Sequence, residues 1–410
     1  MVRRIAAAFL GASFSAAAVL AQAPLEISQN NVNARNADAY VYVSARVGDS
    51  NRTEVYGFAA SSSGELRPVD GSPVAAGVTF LAVNGKYLFG SDTAGKYIHA
   101  FAIASDGVLR PTASTNVVRP GKACDNAGAL FVDHAGTTVY NVGSYGTDCA
   151  EVAYQAFGVD EKTGRLELVH EAHSGRNAAL LRFSADNRFA FGAGCAGTRP
   201  LIYGFVRHHD GSLTRISADS PLPTPNGNQG WCPYLAVADA HNHLVVPVYP
   251  SAESSEANGP FELATYSIAE DGTLTTTSTP ENMPKIGVGS LTDLAIAPSG
   301  RLVAVAGNHG LQVFRVDGAS PVRAMPGLLT RQEIDQMFWD GNGHLYAISQ
   351  SAGKLWVFNV DEDGWASAPG SPYAVSGAQN IAVQPVEVQP KNDRPRDIER
   401  AASDPPYAAR

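Results

Sequence analysis

The 410-residue sequence contains 40 glycines, 25 prolines and 44% hydrophobic residues, a composition typical of a large apolar core joined by many tight turns. Its formal net charge of −9 argues against nucleic acid and against an anionic membrane surface as partners, because phosphate binding requires a basic face. The length leaves the number of domains open, since all-β folds often exceed the usual domain size.

The N-terminal segment is typical of a secretory signal peptide. Arg3 and Arg4 precede an uncharged apolar stretch, residues 5–20, and Ala21 fits the small residue required for cleavage. An uncleaved anchor is the alternative, but the stretch is short and alanine-rich for a membrane span, and no other segment is comparably apolar. The sequence therefore predicts a signal peptide over 1–21 and an exported protein, either periplasmic or secreted, without a membrane span after cleavage.

A polar turn recurs along the rest of the chain. Its glycine follows Asp, Ser or Thr in most copies, and the copies are about 50 residues apart on average, a period typical of propeller blades. The glycines of these turns are Gly64, Gly107, Gly164, Gly211, Gly272, Gly318 and Gly364.

Each period has the same internal order. A short apolar first strand is followed by a second strand such as YLFGSD and by a third of alternating character such as YIHAFAIA. The glycine turn then joins the third strand to a fourth, outer strand. The first strands begin at Leu81, Leu130, Leu181, Leu235, Leu294, Met337 and Ile381.

The two ends of the repeat complement each other. Residues 40–44 match a second strand but lack a first strand before them, whereas 381–385 form a first strand with nothing after it. Their pairing would close the ring and remove exposed sheet edges. We therefore predict an all-β fold, a single seven-bladed β-propeller over 39–386, preceded by a polar segment, 22–38, and followed by a disordered tail, 387–410.

This pattern of strands and turns resembles that of the lactonase-like seven-bladed propellers, which include 6-phosphogluconolactonase-type and carboxymuconate-cyclase-type enzymes and the related YVTN-repeat propellers. The GSPV (71–74) and GSPY (370–373) segments add to the resemblance, which covers about 39–386. It implies the propeller fold for this chain, and it implies lactonase activity only if the family's catalytic residues are present.

Those residues are absent from the matching positions. The family's histidine before the first strand of blade three corresponds to Gly128, and its Pro-Arg-His before blade four corresponds to 178–180, which read Ala-Ala-Leu. The acidic residue that closes the second strand of blade four corresponds to Ala193 or Gly194. Residues 144–148 resemble the family's D-L-G-x-D with the first Asp replaced. A lactonase needs a cation to stabilise the oxyanion and a base to activate water, and the matching positions supply neither. No catalytic residue is therefore carried over from the family. No cofactor is expected.

The four cysteines lie in loops that enter first strands or leave second strands, and these loops share one face of a propeller, here called the cysteine-bearing face. In an exported chain they favour two disulfides, predicted as Cys124–Cys149 and Cys195–Cys232. The competing pairing is Cys149–Cys195 with two free thiols. The cysteine spacing contains no C-x-x-C pair, so no metal site is expected.

Several polar residues on the same face are candidate ligand-binding residues. Amides at equivalent positions entering the central channel, among them Gln336, would hold water or a polar ligand. Trp231 would stack on a sugar ring, and the alternative for this residue is a packed tryptophan. For the whole set, the alternative is a solvated rim that binds no ligand. The candidates are Asn126, Asp148, Arg176, Asn177, Trp231, His309, Glu333, Asp335 and Asn380.

The sequence is compatible with two functions. The first is a non-catalytic, monomeric propeller that binds a small polar ligand, a glycan or a protein through the cysteine-bearing face. The second is a lactone hydrolase with a rebuilt site that uses Asp148, Arg176, His309, Glu333 or Asp335. Convergence of a base and a cation in one pocket would favour the enzyme, whereas scattered charges would favour binding.

Overall fold

A computed structural model describes residues 37–50, 52–118, 128–145, 151–175, 181–196, 199–217, 220–225, 230–239, 241–251, 260–316 and 322–386. The predicted signal peptide, most of the polar segment before the propeller and the predicted tail lie outside these residues. Among the described residues, no helix is long and apolar enough to cross a membrane.

The described residues form short strands throughout. The first sixteen are β1 Ala39–Arg46, β2 Thr53–Ala60, β3 Leu66–Pro68, β4 Val74–Ala75, β5 Val78–Val83, β6 Tyr87–Asp92, β7 Tyr97–Ile103, β8 Leu109–Asn116, β9 Leu130–Val132, β10 Thr138–Tyr145, β11 Glu151–Val159, β12 Leu166–Gly175, β13 Arg182–Phe183, β14 Phe189–Ala196, β15 Arg199–Arg207 and β16 Leu213–Arg215. The others are β17 Gly230–Pro233, β18 Val237–Ala238, β19 His243–Ser251, β20 Glu262–Ile268, β21 Leu274–Thr275, β22 Leu291–Ile296, β23 Leu302–Gly307, β24 Gly310–Arg315, β25 Arg323–Ala324, β26 Gln336–Trp339, β27 His344–Ser349, β28 Lys354–Val360, β29 Trp365–Ser367, β30 Tyr373–Ala374 and β31 Ala378–Pro385.

These strands form seven small antiparallel sheets, the blades of a propeller, which confirms the predicted fold class. Blade two is β5-β6-β7-β8, and blades three, four and six repeat this order. Blade five departs from the pattern because its first strand is split into β17 and β18, which both pair with β19. In blades one and seven the short strands β4 and β30 extend the outer edge.

The ring closes as predicted. β31 pairs antiparallel with β1, and the register places Val41 opposite Val383 and Ser44 opposite Asn380. The facing valines are completely buried. Blade one is thus built from both ends of the propeller, β31-β1-β2-β3, so no first strand is missing.

A buried ion pair lies where blade seven meets the turn at Gly64 in blade one. His344 Nδ1 is 2.6 Å from Asp340 Oδ2, which also accepts a hydrogen bond from the Tyr346 hydroxyl at 2.9 Å. Burial alone lowers the pKa of His344, but the hydrogen bond and the charge of Asp340 outweigh it, so the pKa of His344 is raised. The contact with Asp340 beside the closing blade thus favours the protonated form of His344.

The recurring glycine turn has a structural explanation at Gly107. Its φ of +81° suits glycine, and a Cβ there would come within 2.3 Å of the ring of Tyr40 in the preceding blade. The Tyr42 hydroxyl donates a hydrogen bond to the carbonyl oxygen of the same glycine at 2.8 Å. By contrast, nothing lies within 4 Å of a Cβ at Gly364, the least regular copy of the turn. The turn therefore fixes the packing of one blade on the next.

Candidate functional site

The first strands of the seven blades surround a central channel with a cavity volume of about 570 Å³. Its wall is mostly apolar and includes Leu81, Leu130, Leu181, Met337 and Ile381. A mainly apolar cavity of this size with a few convergent polar groups is the usual form of a small-molecule site.

Two opposite charges meet in this channel. Arg182 lies on β13 in blade four, and its Nη2 is 3.7 Å from Oδ1 of Asp293, which lies on β22 in blade six. The Arg182 side chain is 32% exposed, and its Nη1 donates to the carbonyl oxygen of Leu181 at 3.4 Å. Among the described residues no other acceptor contacts its guanidinium, so N–H donors remain for a ligand in the channel.

The Asp293 carboxylate is held in place by main-chain groups. Oδ1 accepts the N–H of Leu294 and Oδ2 accepts the N–H of Met337, both at 2.8 Å. Burial raises the pKa of Asp293, while Arg182 and these two N–H groups oppose that effect. The carboxylate thus serves the fold and faces the channel at the same time.

Asp293 belongs to a series of clasps between successive blades. Two amides make the same kind of contact with the first strand of the following blade. Oε1 of Gln336 accepts the N–H of Ile381 at 2.8 Å, and Oδ1 of Asn380 accepts the N–H of Leu81 at 2.8 Å. The amides expected to hold water or ligand therefore use their carbonyl oxygens to join blades. Gln336 also lines the channel, where its amino group is a further donor.

The opposite end of the channel offers fewer free groups. Asp239 lies there, but its carboxylate accepts the N–H groups of His241 and His243 and contacts His243 Nδ1 at 2.8 Å. His134 also lines this end, and its Nε2 lies 3.3 Å from the carbonyl oxygen of Phe183. Arg182, Asp293 and Gln336 are therefore the polar groups best placed to meet a ligand.

Other predicted site residues lie outside the channel. Asp335 accepts the N–H of Gln350 at 2.7 Å, and Glu333 accepts the hydroxyl of Ser351 at 2.9 Å. Burial and the neighbouring Glu333 raise the pKa of Asp335. His309 is exposed in the hairpin after β23. Among the described residues no cation pairs with either carboxylate, so these three residues do not form a base–cation site.

Trp231 is packed inside the propeller. Its side chain is 1% exposed, and the indole N–H donates to the carbonyl oxygen of Thr224 at 2.8 Å. Of the two interpretations offered by the sequence, the structure agrees with the packed tryptophan, because the ring has no free face for a sugar.

The predicted disulfide between Cys195 and Cys232 is confirmed, with a Cα–Cα distance of 5.7 Å. It joins blade four to blade five on the cysteine-bearing face. The other predicted pair, Cys124–Cys149, lies outside the described residues. The same is true of four candidate ligand-binding residues, namely Asn126, Asp148, Arg176 and Asn177.

Among the described residues, no group of three or more His, Cys, Asp or Glu side chains is arranged to hold a metal ion. The polar side chains that line the channel include those of Arg182, Asp293, Gln336, Asp239 and His134.

Solved structures of other proteins have the same architecture. A proposed 6-phosphogluconolactonase from Bacteroides fragilis aligns with a TM-score of 0.60 and 12% identity, over 86% of this chain and 99% of its own. The periplasmic gluconolactonase of Pseudomonas aeruginosa aligns with a TM-score of 0.60 and 15% identity, over 84% of this chain and 98% of its own. This chain has the lactonase-like propeller fold. No protein-family model and no curated protein matches the sequence.

At these identities the similarity establishes the fold alone, and any activity depends on the residues of the site. The Cys195–Cys232 disulfide is consistent with export.

Sequence reasoning missed Arg182 and Asp293 as site residues, although two signals pointed to them. Arg182 is a charged residue within an apolar run, and Asp293 stands directly before Leu294, as Gln336 stands before Met337 and Asn380 before Ile381. A position-by-position alignment of the blades would have grouped Asp293 with those two amides.

Proposed function

We propose that this protein is an exported propeller that binds a small polyhydroxylated acid, of the sugar-acid class, in its central channel. The observation that carries the proposal is the Arg182 guanidinium, which lines a mostly apolar cavity and lies 3.7 Å from the Asp293 carboxylate. A ligand carboxylate would accept a charge-assisted hydrogen bond from the free guanidinium donors. Hydroxyl groups of the ligand would donate to Asp293 and accept from Gln336.

Binding is preferred over catalysis because Asp293 is committed to the fold. Each of its oxygens already accepts one main-chain N–H, which holds the carboxylate in a fixed position. The apolar wall supports a binding site that desolvates the carbon skeleton of the ligand. Export is supported by the N-terminal pattern and by the confirmed disulfide.

Hydrolysis of a sugar lactone at the same pair is the second candidate. It is favoured by one observation, the convergence of a base and a cation in one channel, and by the lactonase names of the two similar structures. Asp293 would remove a proton from the attacking water while Arg182 stabilises the developing oxyanion. The ring C–O bond would then break, and the proton would pass to the ring oxygen to give the hydroxy acid.

Calorimetric titration of the purified protein with D-gluconate tests the binding proposal. Arg182→Met should weaken binding about tenfold or more, because it removes a charge-assisted hydrogen bond. Arg110→Met, a change at an exposed arginine on the outer strand β8, is the control and should bind as the unmodified protein does. Equal affinity of the two variants would contradict the proposal.

A pH-stat assay with δ-gluconolactone separates the two candidates. Consumption no faster than the spontaneous reaction is expected if the channel only binds. Turnover that is lost in both Arg182→Met and Asp293→Asn, but kept in Arg110→Met, would establish the hydrolase instead.

A further inference from the structure

A second pocket lies on the cysteine-bearing face, between blades one and two, and is separate from the central channel. Its volume is about 580 Å³, and it is lined by polar side chains and one aromatic ring. Arg46 from the end of β1, Phe80 from β5, Asp92 from the end of β6 and Gln379 from β31 contribute to it. We refer to it as the inter-blade pocket.

Two β-bulges bring these side chains together. In β5 the register shifts between Val78 and Leu81, so that Thr79 and Phe80 stand against a single residue of β6. In β31, Gln379 is the extra residue between Ala378 and Asn380. Bulges re-aim side chains and are common beside functional sites. Here both bulged segments contribute to the wall of one pocket.

Phe80 presents an exposed aromatic ring at a position where other blades have a buried polar side chain. It stands directly before Leu81, as Asp293 stands before Leu294 and Asn380 before Ile381. Those two residues are buried clasps, whereas Phe80 is 39% exposed. An exposed ring in a polar pocket offers a negative π-face to C–H groups. The C–H face of a sugar ring is complementary to this π-face, so the exposed ring favours a sugar as the ligand.

The polar groups of the pocket are available to a ligand. Arg46 is exposed, and among the described residues no carboxylate pairs with its guanidinium. Asp92 uses Oδ1 to accept the N–H groups of Lys96 and Tyr97, at 2.7 and 3.0 Å, which leaves Oδ2 as an acceptor. The Gln379 side chain adds one acceptor and two donors. A planar guanidinium without a partner matches the geometry of a carboxylate.

We propose that the inter-blade pocket binds a uronic acid residue of a glycan. Phe80 stacks on the C–H face of the sugar, Arg46 binds its carboxylate, and Asp92 and Gln379 bind its hydroxyl groups. This proposal stands independently of ligand binding in the central channel, since the two cavities share none of these residues.

Titration with short uronic acid oligomers, namely galacturonate, mannuronate and glucuronate trimers, tests the proposal, and the methyl ester of each serves as the neutral probe. At least one trimer should bind, and its ester should bind about tenfold more weakly, because the ester lacks the charge that Arg46 recognises. Arg46→Met should reduce binding of the acid to the level of the ester. Phe80→Ala should weaken binding of both forms.

Matched controls lie outside the pocket wall. Arg52→Met changes an exposed arginine, and Trp365→Ala removes an aromatic ring that is 37% exposed, close to the value for Phe80. Both should bind as the unmodified protein does. Failure of all three trimers to bind, equal binding of acid and ester, or binding that Phe80→Ala leaves unchanged would each overturn the proposal.

Discussion

The side-chain clasps between blades should differ in strength according to their burial. Asn380 is 5% exposed and its Oδ1 accepts the buried N–H of Leu81, so Asn380→Ala leaves that N–H without a partner. An unpaired buried donor costs about 1–3 kcal/mol in the free energy of unfolding. Gln336→Ala removes a partly buried clasp and should cost less.

Gln384→Ala provides the matched control on the same strand. Its Oε1 accepts the N–H of Gly85 at 2.7 Å, and that contact is exposed, so water replaces the lost acceptor. The expected change is below about 0.5 kcal/mol. Urea unfolding followed by tryptophan fluorescence would measure all three variants, with unchanged slope and shifted midpoint. Equal shifts for Asn380→Ala and Gln384→Ala would show instead that burial has no influence on the strength of a clasp.

Three further predictions concern the stability of the ring. Replacing Cys195 and Cys232 together by serine should destabilise the protein by about 3–4 kcal/mol on loop-entropy grounds, measured as a lower thermal midpoint that reductant no longer changes. His344→Gln should destabilise the protein more at about pH 5.5 than at about pH 9, because the raised folded-state pKa of His344 gives stability that is lost as pH rises through that pKa. A urea midpoint lowered by the same amount at both pH values would contradict this. Gly107→Ala should lower the thermal midpoint, because the positive φ of this residue disfavours alanine and the added Cβ would clash with the ring of Tyr40. Gly364→Ala should leave the thermal midpoint nearly unchanged, since nothing lies close to its Cβ position.

The fold was predictable because its signals are local and repeated. Each blade repeats an apolar strand and a glycine turn, and the register of β31 on β1 follows from two incomplete blades that complement each other. The split first strand of blade five was not predicted. Gly230–Pro233 and Val237–Ala238 flank a short break in pairing, and nothing in the apolar pattern around Leu235 indicates it.

The site was less predictable because its partners come from different blades. Arg182 and Asp293 lie on blades four and six, and no periodic pattern links a residue of one blade to a particular residue two blades later. The sequence also does not show which side chains are buried. At Trp231 the sequence is compatible with an exposed stacking ring or with a packed ring, and the contact with Thr224 in the structure decides between them.

A crystal structure of the protein with D-gluconate would locate the ligand without relying on a variant. We expect gluconate in the central channel, with a carboxylate oxygen at hydrogen-bonding distance from the Arg182 guanidinium and a hydroxyl group in contact with Asp293. Gluconate bound only outside the channel, or within it but away from Arg182, would contradict sugar-acid binding at this site.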